Sequence, residues 1–158
     1  LFHKARKSIY IHTPYFVPDD AVLSALRIAA RSGVDVRLMI PCKPDHPFVY
    51  WATYSYAGDL IEAGAKCYGY DNGFLHAKGV MVDGRVSSYG TANMDIRSFE
   101  LNFEVNATIY DETITQQLEQ EFMNDLKHCR EITKEVYESR SLLIRIKEQG
   151  SRLLSPLL

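Results

Sequence analysis

The stretch L-H-A-K-G-V-M-V-D-G-R-V-S-S-Y-G, residues 75–90, decides the architecture of this 158-residue chain. Two strand-like runs, 75–82 and 85–90, flank Asp83-Gly84, and an Asp-Gly pair between such runs is a hairpin signal. A hairpin makes antiparallel neighbours. Upstream the order is different. Residues 8–13 (S-I-Y-I-H-T) read as a strand, Asp19 or Asp20 caps a helix over 19–32, and Gly33 stops it. V-D-V-R-L-M-I (34–40) is a strand ended by Pro41, a helix spans 46–63 to Gly64, and A-K-C-Y-G-Y (65–70) is a further strand. The order β-α-β-α-β predicts parallel strands with helices packed over them. Downstream, 101–110 alternates as a strand, and helices are expected over 111–129, 132–139 and 141–149. The expected class is α/β, a mixed β-sheet sandwiched between helix layers, in one domain over 1–158.

Bulk composition fits a globular fold and narrows the partners. Apolar residues make up 46% and charged ones 24%, with a formal net charge of −2. A non-specific nucleic-acid binder is normally basic, so nucleic acid is not the expected partner. The three cysteines, Cys42, Cys67 and Cys129, form no C-x-x-C pair and read as buried thiols. No run of eighteen apolar residues is present. The chain begins at Leu1 rather than Met and is expected to be cut from something longer. Charge is uneven near the end. Residues 111–139 hold eight acids against three bases, whereas 140–152 hold Arg140, Arg145, Lys147 and Arg152 against Glu148 alone. Leucines and isoleucines accompany this basic segment over 140–158. Two readings stand: a helix lying on an anionic membrane surface, or one packed on its own domain or a partner.

The 75–90 stretch also carries the chemistry. His76, Lys78 and Asp83 are spaced H-x-K-x4-D, and Gly90-Thr91-Ala92-Asn93 follows. On a strand, residues two apart share a face, so His76 and Lys78 are expected side by side. An imidazole of ordinary basicity attacks phosphorus, and an ammonium holds phosphate oxygens. The G-T-A-N turn offers N–H, hydroxyl and amide donors for transition-state charge. Asp83 has the opposite parity from His76 and is expected to brace the turn. Glu104, sharing a strand face with Asn102 and Asn106, would either orient the His76 imidazole or pair with Arg97. Metal chemistry is not indicated: a lysine within the motif is a poor ligand, and His3, His12, His46 and His128 lack ligand spacing.

H-A-K-G-V-M-V-D-G with G-T-A-N resembles the phospholipase D superfamily. T-P-Y-F-V-P-D-D, Y-D-N-G-F-L-H-A-K, G-T-A-N-M-D-I-R-S-F-E-L-N-F-E-V-N and R-L-L-S-P are similar to the C-terminal half of its bacterial cardiolipin synthase branch. The resemblance covers essentially the whole chain. It implies a phospholipase D-like fold and phosphatidyl transfer between two phosphatidylglycerol molecules, giving cardiolipin and glycerol through a phosphatidyl-histidine, without a cofactor. It implies His76, Lys78 and Asp83 as the catalytic motif. Lys78, Thr91 and Asn93 would then contact the phosphate, and Glu104 would orient the histidine. Gly79 departs from the hydroxyl residue common there. Full-length members carry two motifs and membrane-spanning segments. One motif here implies either pairing with the other motif-bearing half or a second copy of this chain, at a bacterial cell membrane. A homodimeric single-motif phosphodiesterase or nuclease is the alternative.

Overall fold

The computed structural model describes residues 1–43 and 45–154. Pro44 and residues 155–158, the last part of the basic segment, lie outside the described residues.

The centre of the sheet is β1, Ser8–His12, in which every residue is buried. It lies between two neighbours of opposite sense, parallel β3 (Asp35–Pro41) and antiparallel β5 (Gly79–Val82). A strand covered on both faces reads as a continuous apolar run, and S-I-Y-I-H satisfies that with Ile9 and Ile11 on one face and Tyr10 on the other. Parallel β4 (Lys66–Tyr70) follows β3, and β6 (Val86–Gly90) returns antiparallel beside β5. With β8 (Asn106–Ile109) and β9 (Cys129–Glu131) on the flanks, the order is β8-β6-β5-β1-β3-β4-β9. The mixed sheet and its two helix layers follow the expectation.

Helices α1 (Asp20–Arg31) and α2 (Pro47–Glu62) cover the face built by Ile9, Ile11, Val36, Leu38, Ile40, Val80 and Val82. The Asp19 carboxylate accepts from Val22 N at 2.7 Å and starts α1. Pro47 begins α2, where the missing N–H costs nothing. α2 is apolar nearly all round because it is sandwiched between the sheet and a helix, α6 (Leu142–Leu153). The other face, with Tyr10, Met39, Leu75 and Met81, is closed by α4 (Glu112–Asp125) through Phe122, which stacks on Tyr10 at 5.1 Å.

The structure corrects several boundaries. The strand expected over 75–82 pairs only from Gly79. Gly79 lies opposite His12, the last residue of β1, so residues 75–78 have no partner on that side, although the Lys78 carbonyl still accepts from Gly90 N at 3.2 Å. The strand expected over 101–110 begins at Asn106. Asp95 instead caps a short helix, α3 (Ile96–Glu100), through Ser98 N at 2.7 Å, and Leu101 N and Asn102 N close its end on the Arg97 carbonyl. The long helix stops at Asp125, and a tight turn over 126–128 leads into β9. Two-residue strands β2 (Phe16–Val17) and β7 (Met94–Asp95) form a separate parallel pair. α5 (Lys134–Glu138) is shorter than expected, and α6 runs past 149 to Leu153.

Candidate functional site

His76 and Lys78 stand in the unpaired approach to β5, at the sheet end where β1 stops. They do not project side by side from a strand. Lys78 folds back so that its Nζ donates to the His76 carbonyl at 2.8 Å. The His76 ring is exposed and tilted against Phe74 at 5.8 Å. Partial burial pushes the Lys78 ammonium pKa down, and the carboxylates of Glu104 and Asp95 oppose that shift.

Lys78 lines a cavity of about 210 Å³ with Asn93, Asn106, Ser88, Met94 and Phe99. The wall opposite Lys78 is built from the G-T-A-N turn, and the turn is pinned at each residue. Asn106 Oδ1 accepts from Ala92 N at 3.1 Å, while its Nδ2 donates to Ser88 Oγ at 3.4 Å. Asn93 N donates to the buried Ser98 Oγ at 3.1 Å. The Asn93 side-chain Oδ1 is buried and has no hydrogen-bond partner; as an acceptor it suits a hydroxyl or ammonium donor, and it is the Nδ2 of the same amide that can donate to a phosphate oxygen. Gly90 makes this packing possible: a Cβ there would lie 2.1 Å from the Val105 carbonyl. At the end of β1, Thr13 Oγ1 accepts from Met94 N at 3.1 Å and donates to the Tyr15 carbonyl at 2.7 Å, tying the T-P-Y-F loop to the same wall.

Three expected roles read differently in the geometry. The Thr91 hydroxyl accepts from Val105 N at 2.9 Å and donates to the Val105 carbonyl at 3.5 Å, so it braces the loop before β8, and Thr91 does not line the cavity. Glu104 is off the sheet. Its Oε1 accepts from Asn102 Nδ2 at 3.3 Å and Ser98 Oγ at 3.5 Å, in place of the His76 imidazole or Arg97, and its charge acts on Lys78. The physical reason is that Leu101 N and Asn102 N are spent closing α3 on the Arg97 carbonyl and β8 starts only at Asn106, so Glu104 lies in the connection between them. Asp83, at φ 57°, turns its carboxylate to the start of β1 and accepts from Lys7 N at 2.7 Å, Arg6 N at 2.9 Å and Ser8 N at 3.0 Å. It holds the strand that carries the site and does not itself line the cavity.

Asn106 and Ser98 escaped the sequence reading. Asp95-x-x-Ser98 is a legible helix-cap spacing, and it would have placed Ser98 beneath Asn93. Asn106 gave no such signal, because its role rests on pairing with Gly90 across the sheet edge. Among the described residues, no cluster of histidine, cysteine or acidic side chains is arranged to hold a metal ion. The arrangement therefore offers one exposed imidazole, one half-buried ammonium and an amide-lined wall at a sheet end.

Comparison with known proteins identifies the family. The chain is 58% identical over 154 residues to cardiolipin synthase 1 of Staphylococcus epidermidis, covering 98% of this chain and 31% of that protein. It is 58% identical over all 158 residues to the cardiolipin synthase of Listeria welshimeri, covering 33% of it. The chain thus spans about a third of the length of these relatives. Two solved structures share the fold at 19% identity. Phosphatidylserine synthase of Haemophilus influenzae matches with a TM-score of 0.75 over 99% of this chain and 43% of that one. Nuc of Salmonella typhimurium, a phospholipase D family member, matches with a TM-score of 0.73 over 84% of this chain and 86% of that one. The family model described as "Cardiolipin synthase, PLD-like domain" matches residues 1–126, and the chain belongs to that family.

Proposed function

We propose that this domain supplies one half of the active site of a phosphatidyl transferase that joins two phosphatidylglycerol molecules into cardiolipin. The observation that carries the reading is the exposed His76 imidazole beside Lys78 and the Asn93 wall, in a chain 58% identical to cardiolipin synthases. One motif histidine attacks phosphorus of the first phosphatidylglycerol, and the bond from phosphorus to the glycerol oxygen breaks. The other histidine gives its proton to the departing glycerol. It then takes the proton of the second phosphatidylglycerol's hydroxyl, whose oxygen attacks phosphorus and breaks the phosphorus–nitrogen bond. His76 is one of this pair. Lys78 holds the non-bridging phosphate oxygens, and the Asn93 amide completes the cradle. Asp83 contributes by fixing the strand, not by meeting substrate.

A second histidine requires a second motif. The edge beside the cavity is built to be covered: among the described residues β8 pairs with β6 alone and ends the sheet, and Leu101, Phe103 and Val105 before it and Tyr110 after it are strongly exposed. An exposed apolar edge of this kind is a pairing surface. The other motif-bearing half is the occupant this reading assigns to it. Replacing Phe103 and Val105 with lysine is expected to abolish transfer while leaving the melting temperature of the isolated chain unchanged.

The test is product analysis with phosphatidylglycerol after this domain is grafted in place of the matching third of the Listeria cardiolipin synthase. Cardiolipin and glycerol in equal amounts support the proposal; no transfer by a folded graft refutes it. The competing reading is a symmetric single-motif phosphodiesterase, favoured by the match to nearly the full Nuc chain. It predicts that the isolated chain is a dimer and cleaves DNA in EDTA, with cleavage lost in His76→Ala.

A further inference from the structure

The C-terminal helix is packed the wrong way round for a globular domain. Counting along α6, the inward stripe is Ile144, Glu148, Ser151 and Arg152, with Glu148 and Ser151 fully buried. The helix is fastened by ion pairs rather than by apolar packing. Arg140 Nε lies 2.8 Å from Glu148 Oε1, and Arg152 Nη2 lies 2.6 Å from Asp59 Oδ2 on α2. The Arg140 guanidinium stacks on Tyr137 at 3.1 Å, and that of Arg152 on Tyr56 at 4.3 Å. The outward stripe is Leu142, Leu143, Ile146 and Leu153, each between 59% and 84% exposed. A soluble helix turns such a stripe to its own core. Of the two readings open from the sequence, the helix does pack on its own domain, through its other face on α2, while among the described residues this apolar stripe stays exposed.

Three observations select the occupant. First, Arg145 and Lys147, both exposed, fall roughly 100° to either side of the stripe's centre by helical periodicity, with Arg145 donating to the Glu138 carbonyl and Lys147 lying over Trp51. Long cationic side chains bordering an apolar stripe are the pattern of a helix lying in a membrane interface, its stems along the lipid and its charges at the headgroups. Second, the sign is local. The whole chain carries −2, yet 140–152 holds four bases against Glu148, which is itself buried against Arg140. An anionic surface complements this helix, as it does the exposed Lys4, Arg6 and Lys7 at the start of the chain, and not the acidic segment 111–139 that precedes it. Third, the helix is aligned with the site. Lys147 lies over Trp51 near the start of α2, and Arg152 reaches Asp59 near its end, so α6 runs in the same sense as α2. α2 starts from the sheet end where His76 and Lys78 stand, so Leu142, Leu143 and Ile146 lie toward that end.

We infer that the outward face of α6 is a docking surface for an anionic phospholipid bilayer, holding the sheet end that carries His76 at the membrane. The inference rests on the proposed lipid substrate and product, both anionic. The test uses the complete 158-residue chain carrying His76→Ala, so that vesicle lipid is never consumed. Co-sedimentation is measured with phosphatidylcholine vesicles with and without phosphatidylglycerol. The expected result is binding that requires phosphatidylglycerol. It weakens at least about tenfold in Leu142→Ser, Ile146→Ser, Leu153→Ser with an unchanged melting curve, since three exposed apolar side chains no longer enter the lipid. Arg145→Gln with Lys147→Gln removes the preference for phosphatidylglycerol. Binding that is absent, or unaltered in both variants, overturns the inference. So does self-association of the chain without lipid that the serine variant abolishes, since a protein then covers the face. Loss of transfer in the graft with α6-dependent binding intact counts against the enzymatic reading alone.

Discussion

Asp83 and His12 show how single groups support the site, Asp83 from outside the cavity and His12 from its wall. Partial burial pushes the Asp83 pKa up, but the N–H donors of Ser8, Lys7 and Arg6 outweigh it and hold the carboxyl below its ordinary value. Its stabilisation is complete above about pH 4, the unfolded carboxylate value, and is lost as pH falls through the lower folded one. Asp83→Ala leaves three N–H groups unpaired and is expected to cost about 2 kcal/mol, read as a lower urea midpoint, while Asp83→Asn flattens the acid limb of the stability profile. His12 is buried beneath β6, with Nδ1 3.1 Å from Tyr89 Oη, and burial pushes its pKa down to about 4 despite Asp125 at 3.6 Å. Below about pH 6.5 the unfolded chain takes a proton that the folded one refuses. Stability should therefore drop by about 3 kcal/mol between pH 7 and pH 4, and His12→Gln should lose that slope. Strand parity gave Asp83 a bracing role, and the carboxylate does hold backbone N–H groups, but at the start of β1 and from a turn residue at φ 57° rather than from a regular strand reaching back to His76. The same reasoning failed for Glu104, because alternation over 101–110 is silent about a helix cap at Asp95. His12 offered no sign of its burial, which depends on α4 arriving from far along the chain.

Elements with a full period were legible: β1, β3 and β4 as apolar runs, α1 and α2 between cap and glycine, and the hairpin from Asp83-Gly84. Two- and three-residue strands such as β2, β7 and β9 are too short to show any period, and only tertiary pairing defines them. The start of β5 shows what one element demands of another. Gly79 lies opposite both His12 and Tyr89, and a Cβ there would stand 2.2 Å from the Tyr89 ring. The absent side chain, a departure from the family pattern, is complemented by the large ring across the strand. Gly79→Thr should displace Tyr89, break its contact with His12 and cost roughly 1–3 kcal/mol as overpacking does. Combined with Tyr89→Ser it should cost less than the sum of the two, a coupling that a double-mutant cycle in urea reads directly. Lys78 immediately precedes this junction, so transfer activity should fall along with stability in the single Thr variant.

At the scale of the whole molecule, the domain is asymmetric in what it leaves uncovered. One sheet edge is apolar beside the cavity, the C-terminal helix is apolar toward solvent, and among the described residues no helix is long and apolar enough to cross a membrane. The single H-x-K-x4-D motif announced an incomplete site from the sequence. Where the proposed other half would dock was not legible, because Phe103 and Val105 look like ordinary strand residues until they are seen to lie exposed just before β8, the strand that ends the sheet. The central claim is that His76 reacts at phosphorus or moves the proton that lets another histidine do so. Its most direct measurement is cardiolipin formation by the grafted enzyme with His76 intact and with His76→Ala. The account predicts that the alanine variant folds, binds vesicles as before, and loses transfer by at least about a hundredfold to ten-thousandfold, the range for removing a positioned acid–base group. Cardiolipin formation within about twofold of the parent would contradict it.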